Sequence, residues 1–149
     1  MKKGSVKQSS SGWIILAILA TVILGVTVTA GCAPLQSKER FTEFYILGQE
    51  GKATGYPEEL KVGEEGTVTV VVINREQEDT KYRLEVRIDG VTRNERESIE
   101  LMPDQKWEER IGFTPEKAGK DQKVEFLLYR NGRSEVYLDL HLWIDVEAT

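Results

Sequence analysis

Only one histidine and one cysteine occur in the 149 residues of this chain, so the side chains that most often carry nucleophilic or zinc chemistry are nearly missing. His141 could act as a general base only with a nucleophile within hydrogen-bond reach, at about 3 Å. The nearest serine on the same segment is Ser134, seven residues away, which is roughly 23 Å at the rise of a strand. We therefore expect no catalytic residue, and the protein is predicted not to be an enzyme.

Two other segments contain residue types that are found in ligand-binding loops. Residues 48–55 are glycine-rich, like a phosphate loop, but Ile46 stands where the first glycine would be and Ala53 where a magnesium-binding Ser or Thr would be. Residues 74–79 place oxygen-bearing side chains at alternate positions, but they lack the glycine and the Asp spacing of calcium loops. We expect a flexible connection and a hydrated turn, with no metal ion and no cofactor.

The lone cysteine, Cys32, ends an uncharged apolar run at residues 13–32, and three lysines precede this run. Basic residues before an apolar run hold the N-terminus in the cytoplasm, so the rest of the chain is predicted to be exported. The small residues 29–31 before Cys32 resemble the lipobox of bacterial lipoproteins and predict a lipid on Cys32. An uncleaved anchor helix is the alternative, because about 20 apolar residues can cross a bilayer.

The sequence thus divides into a lipoprotein signal or membrane anchor (1–31), a tether (32–40) and a folded domain (41–149). From Phe41 onward the chain has 15 basic and 24 acidic residues, a net charge of −9. Such a charge repels phosphate backbones, so no nucleic-acid partner is expected. In both membrane readings the domain lies at the cell membrane, on its extracytoplasmic side.

Apolar residues in this domain recur with the period of two that is typical of strands with one buried face. The clearest alternation covers residues 135–146, and residues 67–73 are β-branched almost throughout. Turn residues separate these segments at short intervals, and no segment has a helical period. The pattern predicts an all-β, immunoglobulin-like β-sandwich of seven or eight strands after the N-terminal apolar segment. The shorter predicted strands are 41–47, 91–96, 98–101 and 106–113.

The last hairpin is predicted to turn at Asn131 and Gly132. A two-residue loop would pair a buried residue with an exposed one, which a sheet does not allow. A three-residue turn over 130–132 instead sets Phe126 opposite Val136 and Lys123 opposite Asp139. We therefore expect that register.

The segments 41–48, 56–66, 113–115 and 123–129 resemble the extracytoplasmic domain of a prokaryotic membrane-protein family known as domain of unknown function 1616. The chain is also similar, more loosely, to the immunoglobulin-like modules of bacterial surface proteins and glycosidases. Members of the first family usually carry several membrane spans before this domain, whereas a single apolar segment precedes it here. The resemblance implies the fold and the location, and it supplies no functional residues.

One face of the last two strands combines aromatic and charged side chains, as recognition surfaces do. Leu127 is expected beside these side chains, and ordinary cross-strand packing is the alternative explanation. The predicted interaction face comprises Tyr137, Asp139, His141, Trp143, Tyr129, Arg83 and Arg87. We expect a membrane-tethered, non-enzymatic binding or assembly module with an unidentified protein partner. A surface module that binds glycan or another small polymer is the alternative.

Overall fold

The computed structural model describes residues 39–149, and the regular elements within this range are all β-strands. The predicted signal or anchor at 1–31, the lipidation site Cys32 and most of the tether at 32–40 lie outside the described residues. Within 39–149, no helix has the length and the apolar character needed to span a bilayer.

Eight strands follow one another along the described chain, in agreement with the sequence prediction. They are β1 (Thr42–Leu47), β2 (Glu59–Lys61), β3 (Gly66–Asn74), β4 (Thr80–Ile88), β5 (Val91–Leu101), β6 (Lys106–Phe113), β7 (Gly119–Arg130) and β8 (Leu138–Glu147). A three-stranded sheet has the order β1-β3-β6, and a five-stranded sheet has the order β2-β8-β7-β4-β5. Neighbouring strands are antiparallel except β2 and β8, which run parallel.

The core lies between the two sheets, and alternate residues of the strands supply it because successive side chains point to opposite faces. Phe113 of the three-stranded sheet and Phe126 of the five-stranded sheet meet edge-to-face, with ring centroids 6.1 Å apart. Trp107 is half-buried and packs against this core, as its place in the alternation predicts. The fully buried aliphatic side chains include Val68, Val70, Val72, Leu84, Val86, Ile111, Val124, Leu128 and Ile144.

Strand β5 is a single strand, whereas the sequence predicts two strands at 91–96 and 98–101. The pairing of β4 with β5 shifts register between Tyr82 and Leu84, and Ser98 has a positive φ of 60°. A β-bulge adds a residue to one strand and interrupts its alternation without ending the strand. The break that was predicted between two strands at position 97 is therefore a β-bulge within the single strand β5.

The predicted register of the last hairpin is wrong by four residues. Phe126 pairs with Leu140 rather than Val136, and Lys123 pairs with Trp143. The turn at Asn131 and Gly132 exists, with φ of 52° and 69°, but β8 begins only at Leu138. Because a shift by an even number keeps each side chain on its face, Leu140 and Leu142 still point toward the core.

The strand directions give the sandwich two ends, which we call the entry pole and the far pole. The entry pole contains the start of β1 and the connections 75–79, 102–105 and 131–137. The far pole contains the connections 48–58, 62–65, 89–90 and 114–118. The described chain therefore enters the domain at the entry pole, where three of the connections between strands also lie.

Candidate functional site: the outer face of the five-stranded sheet

The register of the five-stranded sheet brings most of the predicted face together on its outer side. His141 on β8 lies opposite Glu125 on β7, which in turn lies opposite Arg87 on β4. Two residues further along β7, Leu127 lies opposite Asp139 on β8 and opposite Glu85 on β4. The six predicted residues that share this outer face are Asp139, His141, Trp143, Tyr129, Arg83 and Arg87.

A buried carboxylate, Glu85, organises the β4 half of the face. It accepts hydrogen bonds from Arg87 Nε at 2.8 Å, from Arg87 Nη2 at 2.9 Å and from the Tyr129 hydroxyl at 3.0 Å, and it also accepts one from Thr92. The hydrogen bonds from Arg87 outweigh the effect of burial and lower the pKa of Glu85 to about 2. We call Glu85, Arg87, Thr92 and Tyr129 the Glu85 network.

Tyr129 is not available to a partner, so its predicted place on an exposed surface is wrong. Only 4% of this residue is exposed, and the Arg83 guanidinium lies 3.8 Å above the centre of its ring. Arg83 is held there by an ion pair with Glu95 at 2.7 Å. Leu127 is buried as well. Long arginine stems cover apolar surface while their charged ends stay in water, and here they close the middle of the sheet.

The β8 half of the face stays open. Trp143 is 53% exposed, and His141 packs edge-to-face against it, with ring centroids 5.9 Å apart. Lys123 and Glu125 on β7 form an ion pair at 2.7 Å beside them. Because β2 begins at Glu59, which pairs with Asp145, Trp143 has a strand neighbour only on the β7 side. The indole therefore lies at an open margin of the sheet.

Tyr137 lies away from this face, and its predicted place beside Trp143 is wrong. It precedes β8, so the alternation of the strand does not fix its direction. Its hydroxyl donates a hydrogen bond to Glu76 at 2.6 Å, and the Arg130 guanidinium lies 4.1 Å from the centre of its ring. Tyr137 thus packs at the entry pole, while Val136, which was expected in the core, is exposed.

Glu76 is the centre of a second polar network, which the sequence analysis missed. Its buried carboxylate accepts hydrogen bonds from Thr42 at 2.9 Å and from Tyr137, and it pairs with Arg130 at 2.7 Å. Thr42 also shares a hydrogen bond with Tyr82 at 2.8 Å. Burial alone would raise the pKa of Glu76, but the hydrogen bonds and the Arg130 charge outweigh it, and the pKa is lowered. We call these five residues the Glu76 network.

No spacing in the sequence indicates the Glu76 network, because its members come from β1, β4, β7 and two connections. The segment 74–79, expected to be a hydrated turn, is exposed at residues 77–79 but has a buried side chain beside Glu76. Asn74 is buried and donates hydrogen bonds to the carbonyl oxygens of Glu78 and Leu101, both at 2.8 Å. Among the described residues, no group of three or more His, Cys, Asp or Glu side chains is arranged to hold a metal ion.

The glycine-rich segment 48–55 folds as a tight turn at the far pole. The Gly48 amide donates to the carbonyl of Lys52 at 2.7 Å, and a Cβ on Gly48 would lie 2.1 Å from the carbonyl oxygen of Thr54. Gly48 is therefore needed for the close approach of two backbone segments. This packing explains the glycine without a phosphate ligand.

Comparisons with known proteins identify the fold but no activity. A family model described as a domain of unknown function, DUF1616, matches residues 35–145. The comparison with curated proteins gave no significant match.

Solved structures were compared for their fold. The crystal structure of a CARDB domain from Pyrococcus furiosus, in complex with di-metal ions, is similar with a TM-score of 0.51 and 15% identity over 73% of this chain and 94% of that chain. A solution structure of the same domain has a TM-score of 0.49, 14% identity, and covers 72% and 97% of the two chains. A Listeria innocua β-glucosidase with bound glucose has a TM-score of 0.44 and 15% identity over 72% of this chain but 16% of the enzyme. The first similarity supports an immunoglobulin-like β-sandwich.

Proposed function

Since this chain belongs to the family described as domain of unknown function 1616, we propose that it is a membrane-tethered, extracytoplasmic binding or assembly module. We propose that its partner is a protein and that it performs no catalysis. The membrane tether is inferred from the apolar run at 13–32 and the lysines before it. The protein partner is inferred from the open β8 half of the five-stranded sheet.

The observation that carries this proposal is the exposure of Trp143. Large aromatic side chains are costly to leave in water, and tryptophan is enriched at the energetic centres of protein interfaces. Trp143 packs edge-to-face against His141, so a partner would meet the two rings as a pair. Beside this pair, hydrogen bonds of the Glu85 network join strands β4 and β7.

Glycan capture is the weaker candidate on this geometry. A sugar-binding platform would need a second aromatic ring coplanar with Trp143 over a groove. His141 stands at 79° to Trp143, and Tyr137 is bonded to Glu76 at the entry pole. A protein surface that packs against the two rings therefore suits this face better than a sugar ring stacked on the indole.

The same geometry argues against a catalytic role for His141. Its ring contacts Trp143, and its strand partner is Glu125 on β7. Neither of these two neighbours carries a hydroxyl or thiol that His141 could activate. A general base without an oriented nucleophile has no reaction to assist.

Photo-cross-linking in intact cells tests the proposal. The photoreactive residue p-benzoylphenylalanine would replace Trp143 in one variant and Val91, an equally exposed apolar residue at the far pole, in the other. We expect a discrete protein adduct from position 143 and none from position 91. Adducts of the same pattern and yield at both positions would reject Trp143 as the centre of a binding face.

A further inference from the structure

The exposed apolar residues of the domain are not evenly distributed. Six large apolar side chains are exposed in the described part of the chain, and they are Phe41, Tyr45, Val91, Met102, Val136 and Trp143. Tyr45 lies on β1 and Trp143 on β8, and Val91 is at the far pole. The remaining three, Phe41, Met102 and Val136, all belong to the entry pole.

Hydrogen bonds show that the segments carrying these three residues meet at the entry pole. The carbonyl of Phe41 accepts a bond from the Arg75 amide at 2.9 Å. Met102 follows Leu101, whose carbonyl accepts a bond from the Asn74 side chain. Val136 precedes Tyr137, whose hydroxyl is bonded to Glu76. All three segments are therefore hydrogen-bonded at residues 74–76, where β3 ends and the connection 75–79 begins.

We propose that the entry pole docks on the lipid surface, with Phe41, Met102 and Val136 inserted at the membrane–water interface. This inference rests on the proposed membrane tether and adds the orientation of the domain. Met102 is 62% exposed and Val136 is 40% exposed, so both side chains are free to enter a bilayer without rearrangement of the core. Burial of each such side chain in an apolar environment is favourable because it removes apolar surface from water.

The path of the chain selects this pole rather than the other. The apolar run ends at residue 32, and β1 begins at Thr42, so few residues separate the membrane from the entry pole. The tether residues 33–40 span at most about 27 Å when fully extended. Ten residues of β8 alone extend about 34 Å from the entry pole to the far pole. The tether is thus shorter than the domain.

The charges at this pole have both signs, so the proposed docking relies on apolar insertion and not on electrostatic attraction. Arg40 and Arg133 are exposed at this pole, but so are Glu78, Asp79 and Glu135. The Arg75 guanidinium is occupied by Glu43 and Asp104, at 2.8 Å each. A surface with both signs gains little from anionic lipids, and contacts made by insertion persist when salt screens the charges.

Docking at the entry pole would present the open β8 face sideways. Strands run between the two poles, so a domain that stands on its entry pole holds β8 roughly upright. Trp143 then faces along the membrane surface, away from the lipid. A partner in the same membrane could reach it there.

The test uses the full chain in vesicles of phosphatidylethanolamine and phosphatidylglycerol. p-Benzoylphenylalanine replaces Met102, Val136 or, as the control of matched exposure at the far pole, Val91. After flotation and irradiation, mass spectrometry measures the lipid adduct at each position. We expect several-fold more lipid adduct at 102 and 136 than at 91, with the same ratio at low and high salt.

The outcomes separate the two proposals. Floating chains that give equal lipid adducts at all three positions, or more at 91, overturn the docking of the entry pole and leave the tether in place. A chain that does not float with the vesicles overturns both the tether and the docking. Adducts at 102 and 136 that disappear at high salt would contradict insertion.

Discussion

The hydroxyl of Tyr137 donates a hydrogen bond to the buried carboxylate of Glu76 at 2.6 Å. Tyr137 leads into β8 of the five-stranded sheet, and Glu76 follows β3 of the three-stranded sheet. The bond therefore joins the two sheets across the entry pole. Thr42 and Arg130 reinforce it, because each also contacts the same Glu76 oxygen.

Replacement of Tyr137 by phenylalanine should destabilise the domain by about 1–3 kcal/mol, because it leaves a buried carboxylate with one donor fewer. The measurement is the urea midpoint of residues 39–149. Tyr45→Phe is the matched control, since Tyr45 is partly exposed on β1, and its midpoint should hardly move. Equal midpoints for both variants would show that the Tyr137 hydrogen bond does not support the fold.

Glu85 should make stability depend on pH between pH 6 and pH 3. Its folded pKa of about 2 lies below the ordinary value of 4.5, so its ionised form stabilises the fold above pH 4.5, and this stability is lost as the pH falls toward 2. The free energy of unfolding should fall by about 2 kcal/mol through this group between pH 6 and pH 3.

Urea titrations of the parent and of Glu85→Gln at both pH values measure this contribution. The variant should be less stable at pH 6, and its stability should change less between the two pH values. Glu100→Gln is the control, because Glu100 is largely exposed. If the Glu85 and Glu100 variants keep the pH dependence of the parent, the Glu85 network does not hold the carboxylate in its ionised form.

The stability lost on replacing a core side chain by alanine should increase with the burial of that side chain. Phe126→Ala should cost about 3–5 kcal/mol, since its ring is fully buried between the sheets. Trp107→Ala should cost less, because Trp107 is only half-buried on β6. Urea midpoints give the comparison, and a larger loss for Trp107 than for Phe126 would contradict the described core.

Trp143→Ser should change the free energy of unfolding by about 0.5 kcal/mol or less, as for other exposed positions. Thermal unfolding followed by circular dichroism measures this effect. A fall as large as that of Phe126→Ala would mean that Trp143 serves cross-strand packing, which is the alternative to a recognition surface.

Lipidation at Cys32 predicts a mature protein that begins at residue 32. Mass spectrometry of protein extracted from membranes should show this N-terminus with added acyl mass, and Cys32→Ser should abolish the added mass. A chain that retains residues 1–31 would favour the uncleaved anchor helix.

The sequence by itself determines the strands and the side chains that face the core. Successive side chains of a strand point to opposite faces, so the residues that face the core recur at every second position. This local pattern predicts that Phe126 and Leu140 point inward. The same argument correctly predicts that core-facing residues of the last hairpin lie opposite each other, although the register is wrong by four residues. These features depend on residues that are close in the sequence.

Only the tertiary structure decides which outer residues stay exposed. Tyr129 has the alternation of an exposed residue, yet Arg83 from β4, fixed by Glu95 from β5, covers its ring. Tyr137 leaves the predicted face because Glu76, 61 residues away, accepts its hydroxyl. Such contacts join residues that are distant in the sequence, and their partners become known only when the strands are paired and the sheets are packed.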